Sequence, residues 1–345
     1  MSLPRITYVL ISLVLAFVVL QQLESLIIPF IFSVIIWLII RKVRRWLQEY
    51  FSKMPKWAAT FSSTIFVLLF LVLSIRLIGT QVKHFYADDT IQKYSTKLSD
   101  MVQDLEEYLG ADVVLSIREK VLEKVNEFDY SQVGELAGVL SGVLGSMFMV
   151  LLYLLFLILE ENLFRVKLKT MYPVSENRLK VKGTIDEITK AVESYISLKT
   201  IVSLLTGAAS YIALLIIGVD FALFWAILIF ILNYIPTIGS LIATLFPALI
   251  AFIQFEQLQM FVLVLIVIGA IQVVVGNIIE PKIMGDNLNI SPLVVILSLV
   301  FWNMVWGIVG MILSVPIMVI IIIILSKIPG TRNVALMLSG TGKTA

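Results

Sequence analysis

The chain has 345 residues, of which 59% are hydrophobic and only 14% are charged, with a formal net charge of +2. Soluble domains carry about a quarter charged residues, so this composition excludes an ordinary soluble protein and predicts a membrane protein. There is no cysteine, which excludes disulfides, thiolate metal sites and cysteine catalysis. The small net charge gives no indication of nucleic-acid binding, and no nucleic acid is expected as a partner.

Apolar runs follow one another along the chain and are separated by charged blocks. This pattern predicts an all-α, polytopic membrane protein with about eight membrane segments in a lipid bilayer. The first run follows Arg5 and resembles a signal peptide, but no small-residue cleavage site follows it, so it is expected to remain as a span. The runs are residues 6–23, 26–40, 57–79, 143–159, 197–218, 221–253, 258–279 and 290–326.

The basic residues in short loops predict the orientation. The loop 41–56 contains six Lys and Arg residues against Glu49 alone, which is typical of a cytoplasmic loop. Both termini are then cytoplasmic and residues 80–142 are extracytoplasmic. Within that insert, residues such as Ile91, Tyr94 and Leu98 recur at intervals of three and four, which predicts an amphipathic helix.

The same reasoning predicts six regions. The spans in 1–79 form a scaffold, and the C-terminal transport unit contains two broken hairpins. In order, the regions are 1–79, an extracytoplasmic helical domain at 80–142, a span at 143–160, a cytoplasmic helical linker at 161–196, the transport unit at 197–328 and a cytoplasmic tail at 329–345.

Two apolar runs are too long for one span. As a helix, 221–253 would measure about 50 Å against a hydrocarbon core of about 30 Å. Its middle reads "NYIPTIGS" (233–240, the first break), and the middle of 290–326 reads "FWNMVWGIVG" (301–310, the second break). Two re-entrant hairpins, one from each face, satisfy the flanking charges. Two short full spans for each run also satisfy them, and both alternatives stay open.

Polar groups deep in these runs are predominantly uncharged amides and hydroxyls, which suit a small neutral polar solute. Irregular backbone at membrane depth is tolerated only when it is buried in protein or lines a wet cavity. Paired broken helices indicate a transporter's substrate site; the alternative is a tight turn with no ligand. The predicted substrate-binding residues are Asn233, Pro236, Thr237, Gly239, Ser240, Gln272, Asn277 and Asn303.

The stretch "VVVGNIIEPKIMGDN" (273–287) concentrates further polar residues at a helix end. Glycine loosens a helix and proline ends one, so hinge or gating roles are expected here and at the glycines of the second break. Glu280 is the acidic group best placed to couple protons; the alternative is a surface ion pair of little energetic value. The predicted coupling or gating residues are Glu280, Pro281, Lys282, Gly276, Gly307 and Gly310.

No enzyme, metal site or cofactor is predicted. The tail "SGTGKTA" resembles the end of a phosphate-binding loop, but Met337 stands where that pattern requires glycine. His84 is the only histidine, so no histidine metal cluster can form.

Three stretches resemble the autoinducer-2 exporter family of bacterial and archaeal membrane proteins: "SYISLKTIVSLLTG" (194–207), "LNYIPTIGSLIATLFP" (232–247) and "GNIIEPKIMGDNLNISPLVVILSLVFWNMVWGIVGMILSVPI" (276–317). The order of the N-terminal spans, the "RKVRRW" block and the extracytoplasmic region is also similar. The resemblance implies a plasma-membrane secondary transporter of about eight segments that works as a homo-oligomer. It also implies export of a quorum-sensing signal or, as in other members, sodium or lithium/proton antiport.

The favoured function is therefore export of a small neutral polar solute such as autoinducer-2, by alternating access of the C-terminal hairpin unit. One alternative is a sodium (lithium)/proton antiporter, with sodium or protons as partners and Glu280 as the titrating group. An alternative of another class is a non-transporting scaffold that assembles partners through residues 80–142.

Overall fold

The structure is a computed structural model that describes residues 3–85, 92–101, 131–173, 175–284 and 289–342. All regular secondary structure in these residues is helical, and six of the helices are long and apolar enough to cross a membrane. The predicted all-α, polytopic fold class is confirmed. Residues 86–91 and 102–130 of the predicted extracytoplasmic domain lie outside the described residues.

The helices follow the predicted apolar runs in chain order, and the run 221–253 is divided between two of them. They are α1 (Leu3–Gln22), α2 (Glu24–Tyr50), α3 (Lys56–Phe85), α4 (92–101), α5 (Ser131–Met171), α6 (Ser175–Ile217), α7 (Ala222–Leu232), α8 (Ile238–Phe255), α9 (Leu258–Val274), a π-helical segment (Val275–Ile279), α10 (Glu280–Met284), α11 (Pro292–Lys327) and α12 (Arg332–Leu338).

The chain divides into two compact units. The first consists of Met1–Leu69, Gly142–Leu198 and Met284–Ala345, and the second of Phe70–Ser141 and Lys199–Ile283. The two breaks therefore belong to different units. The functional division into a scaffold and a moving transport unit stays a prediction.

The first break interrupts the second unit between α7 and α8. The Pro236 carbonyl accepts a hydrogen bond from the Ile238 N–H at 2.6 Å, so Thr237 is the central residue of a γ-turn. Thr237 has φ 62° and ψ −55°, a strained conformation for a β-branched residue. Two residues later, a Cβ on Gly239 would lie 1.8 Å from the Leu232 carbonyl oxygen. Only glycine therefore fits where the chain turns back.

The division of the run 221–253 into α7 and α8 limits how this segment can cross the membrane. α7 has 11 residues, which gives a length of about 16 Å, roughly half of the hydrocarbon core. This length favours a re-entrant arm for α7 over a full crossing. α7 and α8 pack with α6 and α9 around a buried apolar core that includes Leu214, Trp225, Ile229 and Ile268.

α4 packs on the turns at the ends of α6 and α8. Lys93 Nζ lies 2.7 Å and the Tyr94 hydroxyl 3.0 Å from Asp220 Oδ2. Lys97 Nζ donates to the Gln254 carbonyl at 2.6 Å and to Glu256 at 2.7 Å. Burial and the hydrogen bond to the Asp220 carboxylate raise the pKa of Tyr94 well above its ordinary value. Tyr94, which belongs to the predicted apolar face of this helix, is therefore buried. The polar contacts on either side of it hold α4 against the two turns.

The second break interrupts α11 in the first unit. Trp306 and Gly307 have non-helical backbone angles, and the φ of +58° at Gly307 favours glycine. A Cβ on Gly310 would lie 1.9 Å from the Trp302 carbonyl oxygen, so this break also requires a close backbone approach.

The C-terminal end of α1 binds the second break. A break in a helix frees carbonyl oxygens that would otherwise accept hydrogen bonds from the following turn. One of these, on Met304, accepts a hydrogen bond from Gln21 Nε2 at 2.9 Å. Trp306 Nε1 in turn donates to the Leu20 carbonyl at 2.9 Å. The Met304 carbonyl and the Trp306 indole thus have hydrogen-bond partners, so the break is an ordered part of the structure and not a frayed helix.

A buried ion pair joins α2 to α5 in the first unit. Arg44 donates to both carboxylate oxygens of Glu161, at 2.8 and 2.6 Å, and the side chains are only 9% and 11% exposed. Burial acts to raise the pKa of the Glu161 carboxyl, but the paired Arg44, with Arg41 and Lys56, lowers it below its ordinary value. Glu161 is therefore ionised and fixes the position of α5 against α2.

We expect Gly239→Ala and Gly310→Ala each to destabilise the protein by about 1–3 kcal/mol or more, because the added methyl group overlaps a carbonyl oxygen. Thermal unfolding of the purified protein in detergent measures the effect. Gly269→Ala is the matched control, since its Cβ would make only an ordinary contact of 3.9 Å with Thr244. Equal melting temperatures for all three variants would contradict the close approaches at the breaks.

Candidate functional site

A polar stripe runs along one buried face of α6 in the second unit. It consists of Lys199, Ser203, Thr206 and Ser210, all of which are buried. Their spacing of four, three and four residues places them on one side of a helix. Burying four polar side chains in an apolar protein is costly unless each has a partner, so their contacts indicate what the stripe does.

The first break lies against this stripe. Asn233, which ends α7, donates from Nδ2 to Ser203 Oγ at 3.0 Å, in a buried position. The hydroxyls of Thr200 and Tyr234 are 2.7 Å apart. α6 and α7 approach closely because Gly207 has no side chain; a Cβ there would lie 3.0 Å from the Ala226 carbonyl oxygen.

The other predicted residues of the first break follow Asn233 in the turn and in the first residues of α8. Pro236 and Ser240 are half-buried, Gly239 is buried and Thr237 is exposed. Ser240 Oγ donates to the Thr237 carbonyl at 2.8 Å, which stabilises the strained turn. These five residues therefore lie at one break, and their role in substrate binding stays a prediction.

A largely enclosed ion pair lies at the Lys199 end of the stripe, one helical turn from Ser203. Lys199 Nζ is 2.6 Å from Glu280 Oε1, and the two side chains are 7% and 21% exposed. The partner of Glu280 is therefore a lysine 81 positions away rather than the neighbouring Lys282, which is exposed, as is Pro281. A pair this enclosed is not the surface ion pair considered from the sequence.

Glu280 directly follows the π-helical segment Val275–Ile279, which contains Gly276 and Asn277. A π-helical turn leaves the backbone wider than an α-helix and occurs frequently at functional sites. Asn277 is exposed on this turn, and a Cβ on Gly276 would meet nothing within 4 Å. Gly276 is therefore not required by close packing.

Three buried polar atoms of the second unit make no hydrogen bond within the described part of the chain. They are Gln272 Nε2 on α9, Ser210 Oγ on α6 and Trp225 Nε1 on α7. Buried polar groups are nearly always paired, so an unpaired donor calls for an explanation. Of these groups, the Gln272 amide and the Ser210 hydroxyl can each both donate and accept hydrogen bonds.

The remaining predicted residues belong to the first unit. Asn303 and Gly307 are exposed and Gly310 is buried, all within the second break of α11. The structure therefore places the predicted residues in two groups, one in each unit. The expectation that the two breaks meet around a solute stays a prediction.

The residue list predicted from the sequence omitted Lys199 and Ser203, the direct partners of Glu280 and Asn233. Their periodicity could have indicated them, because the polar residues 199, 203, 206 and 210 recur with helical spacing inside an apolar run. Trp302 and Trp306 were also missed. They are buried and pack against α1 and α2.

The chemistry available is hydrogen bonding by amides and hydroxyls beside a single ion pair. No group of histidine, cysteine or acidic residues able to hold a metal ion occurs in residues 3–85, 92–101, 131–173, 175–284 and 289–342. The arrangement suits binding of a small uncharged polar solute next to an ion pair.

Comparison with known proteins gives a consistent result. The model of the AI-2E family transporters matches residues 9–330. A candidate transport protein of Haemophilus influenzae is 34% identical over 324 residues, covering 91% of this chain and 90% of its own length. The AI-2 transport protein TqsA of Escherichia coli K12 is 32% identical over 324 residues, covering 92% and 91%. A candidate transport protein of Borreliella burgdorferi is 37% identical over 203 residues, covering 58% of this chain and 55% of its own length.

We expect Lys199→Met to destabilise the protein by up to about 3–5 kcal/mol, because it leaves the enclosed Glu280 carboxylate without its partner. The double variant Lys199→Met/Glu280→Gln should recover much of that loss, since no charge then remains unpaired. Thermal unfolding in detergent measures both. Lys282→Met, which removes an exposed lysine from the same region, is the control and should have little effect. Additive effects of the two single changes would contradict an energetic coupling between Lys199 and Glu280.

Proposed function

The chain belongs to the AI-2E family of transporters, and on that premise we propose that it is a secondary transporter that exports a small neutral polar solute of the autoinducer-2 class. The observation that carries the proposal is the buried contact between Asn233 and Ser203, where an interrupted helix meets the polar stripe of α6. Family membership and the name of the Escherichia coli relative support the solute class.

The solute would bind through uncharged groups. A neutral hydroxylated molecule both donates and accepts hydrogen bonds, and the Asn233 amide, the Ser203 and Ser210 hydroxyls and the Gln272 amide offer both. A solute without hydroxyl groups would leave the amides and hydroxyls of the protein unpaired when it excludes water from them. Such a solute would therefore bind less well.

Alternating access would use the two irregular segments of the second unit as its adjustable parts. Thr237 is held in a sparsely populated conformation, and strain of this kind accumulates at sites that change shape. The π-helical turn before Glu280 can revert to α-helical geometry by a small register change. Movement of the hairpin unit against the N-terminal spans is the working hypothesis for the transport step.

A second candidate function is sodium or lithium/proton antiport. The observation that favours it is the Lys199–Glu280 pair, because enclosed ionisable residues that pair with one another within membrane segments mark ion pathways. In an exporter of neutral solutes, the same pair would serve to couple export to proton entry.

We expect Asn233→Ala and Asn277→Ala to lower the rate of solute export roughly two- to tenfold, since each removes an amide worth about one hydrogen bond. Efflux of labelled autoinducer-2 from proteoliposomes, with protein content matched, measures the rate. Asn333→Ala removes an exposed amide from α12 and serves as the control. Full transport by both site variants, at wild-type protein levels, would remove the site assignment.

Glu280→Gln separates the two candidate functions. If the protein is a solute exporter, the variant should retain solute exchange down a concentration gradient and lose only pH-driven accumulation. If it is an antiporter, the variant should abolish sodium-dependent proton flux, and labelled autoinducer-2 should not move in either protein. Proteoliposomes that contain a pH-sensitive dye and the labelled solute report both fluxes in one preparation.

A further inference from the structure

A cavity occupies the first unit, and nothing in the proposed function uses it. It has a volume of about 830 Å³ and lies between α2, α5 and α6. Binding pockets for drug-sized molecules span about 300–1,000 Å³, so this cavity is far too large for an inorganic ion alone.

The cavity wall has two chemical characters. One part is apolar and aromatic, formed by Trp37, Leu157, Phe164, Leu168, Leu179 and Ile185. The other carries the basic side chains Arg41, Lys169, Arg178 and Lys182. An occupant that satisfies both must combine an anionic group with an apolar body.

The acidic residues on the wall do not cancel this positive charge. Glu161 is neutralised by Arg44 and Glu160 pairs with Lys167, and neither base lines the cavity. Asp186 makes no ion pair within the described residues and is the one uncompensated carboxylate there. The four bases therefore dominate the field inside the cavity.

Trp37 adds a directional feature. Its indole Nε1 is buried and makes no hydrogen bond within the part of the chain that the structure describes. The Arg41 guanidinium lies 4.7 Å above its ring, so the two side chains form one stacked wall. A donor without an acceptor beside a guanidinium fits the oxygen-rich headgroup and ester region of a phospholipid.

We propose that this cavity binds an anionic phospholipid, with the phosphate held by Arg41, Arg178 and Lys182 and the acyl chains against the apolar wall. The bases lie on or next to the loop and linker predicted to be cytoplasmic. Basic pockets between membrane helices on that side recognise anionic headgroups. The lipid would join α6 to α2 and α5 within the first unit, and its presence would stabilise that packing.

The test is native mass spectrometry of the full-length protein in detergent, titrated with short-chain phosphatidylglycerol, short-chain phosphatidylcholine and glycerol phosphate. We expect the wild type to bind phosphatidylglycerol at least about fivefold more tightly than the other two probes. The variant Arg178→Gln/Lys182→Gln should lose about tenfold in affinity for phosphatidylglycerol, which corresponds to one lost charge-assisted hydrogen bond. The charge-preserving variant Arg178→Lys/Lys182→Arg should keep most of the preference for phosphatidylglycerol. It shows whether substitution at these two positions by itself disrupts folding.

Lys180→Gln is the matched control. Lys180 lies between the two tested bases on α6 and is 71% exposed, but it pairs with Glu176 and does not line the cavity. The affinity of the Lys180→Gln variant for phosphatidylglycerol should stay within about twofold of the wild type, as expected when an exposed charge is removed. An equal loss in this variant would reduce the effect to general surface charge and overturn the proposal.

Two further results would also overturn it. If glycerol phosphate binds as tightly as phosphatidylglycerol, the cavity takes a soluble phosphorylated compound and the lipid assignment fails. If no probe binds and the Arg178→Gln/Lys182→Gln variant instead dissociates into smaller assemblies, the cavity is a contact between copies of this chain.

Discussion

The structure depends on one constraint: inside a bilayer, every backbone N–H and C=O group must find its partner within the protein. Two interruptions in apolar helices would violate this constraint unless other groups replace the lost bonds. At the second break, the Gln21 amide donates to the freed Met304 carbonyl, and the Trp306 indole in turn donates to the Leu20 carbonyl at the end of α1. At the first break, the replacements are local, through the γ-turn at Thr237 and the Ser240 hydroxyl. At each break, neighbouring residues thus provide hydrogen-bond partners for backbone groups that the interruption frees.

Much of the architecture follows from hydropathy, because a span must be apolar over its whole length and charged residues are costly within it. The eight runs correspond to helices, and the clusters "NYIPTIGS" and "FWNMVWGIVG" contain the two interruptions. The glycines were recognised as helix-weakening residues. That Gly239 and Gly310 each face a carbonyl oxygen seven or eight residues earlier could not be predicted, because such close approaches depend on the folded backbone.

The candidate site was less accessible to sequence reasoning. Asn233 and Glu280 stood out because each is polar within an apolar context, but their partners are 30 and 81 residues away. Pairing over such separations depends on tertiary packing, which periodicity along one helix does not specify. The helical spacing of Lys199 and Ser203 indicated a common face, yet the segments that contact that face became evident only in the structure. The Lys199–Glu280 pair also shows that proximity in sequence, as for Lys282, is a poor guide to ion pairing.

The contacts of α4 have a mechanical implication for the second unit. Through Lys93, Tyr94 and Lys97, one short helix is tied both to the turn between α6 and α7 and to the turn between α8 and α9. Spreading these turns apart would break the two polar contacts that α4 makes with one of them, so α4 acts as a brace across them. A braced bundle is stiff at that end, and any deformation within it must concentrate at the opposite end, where the γ-turn and the wide helical turn lie.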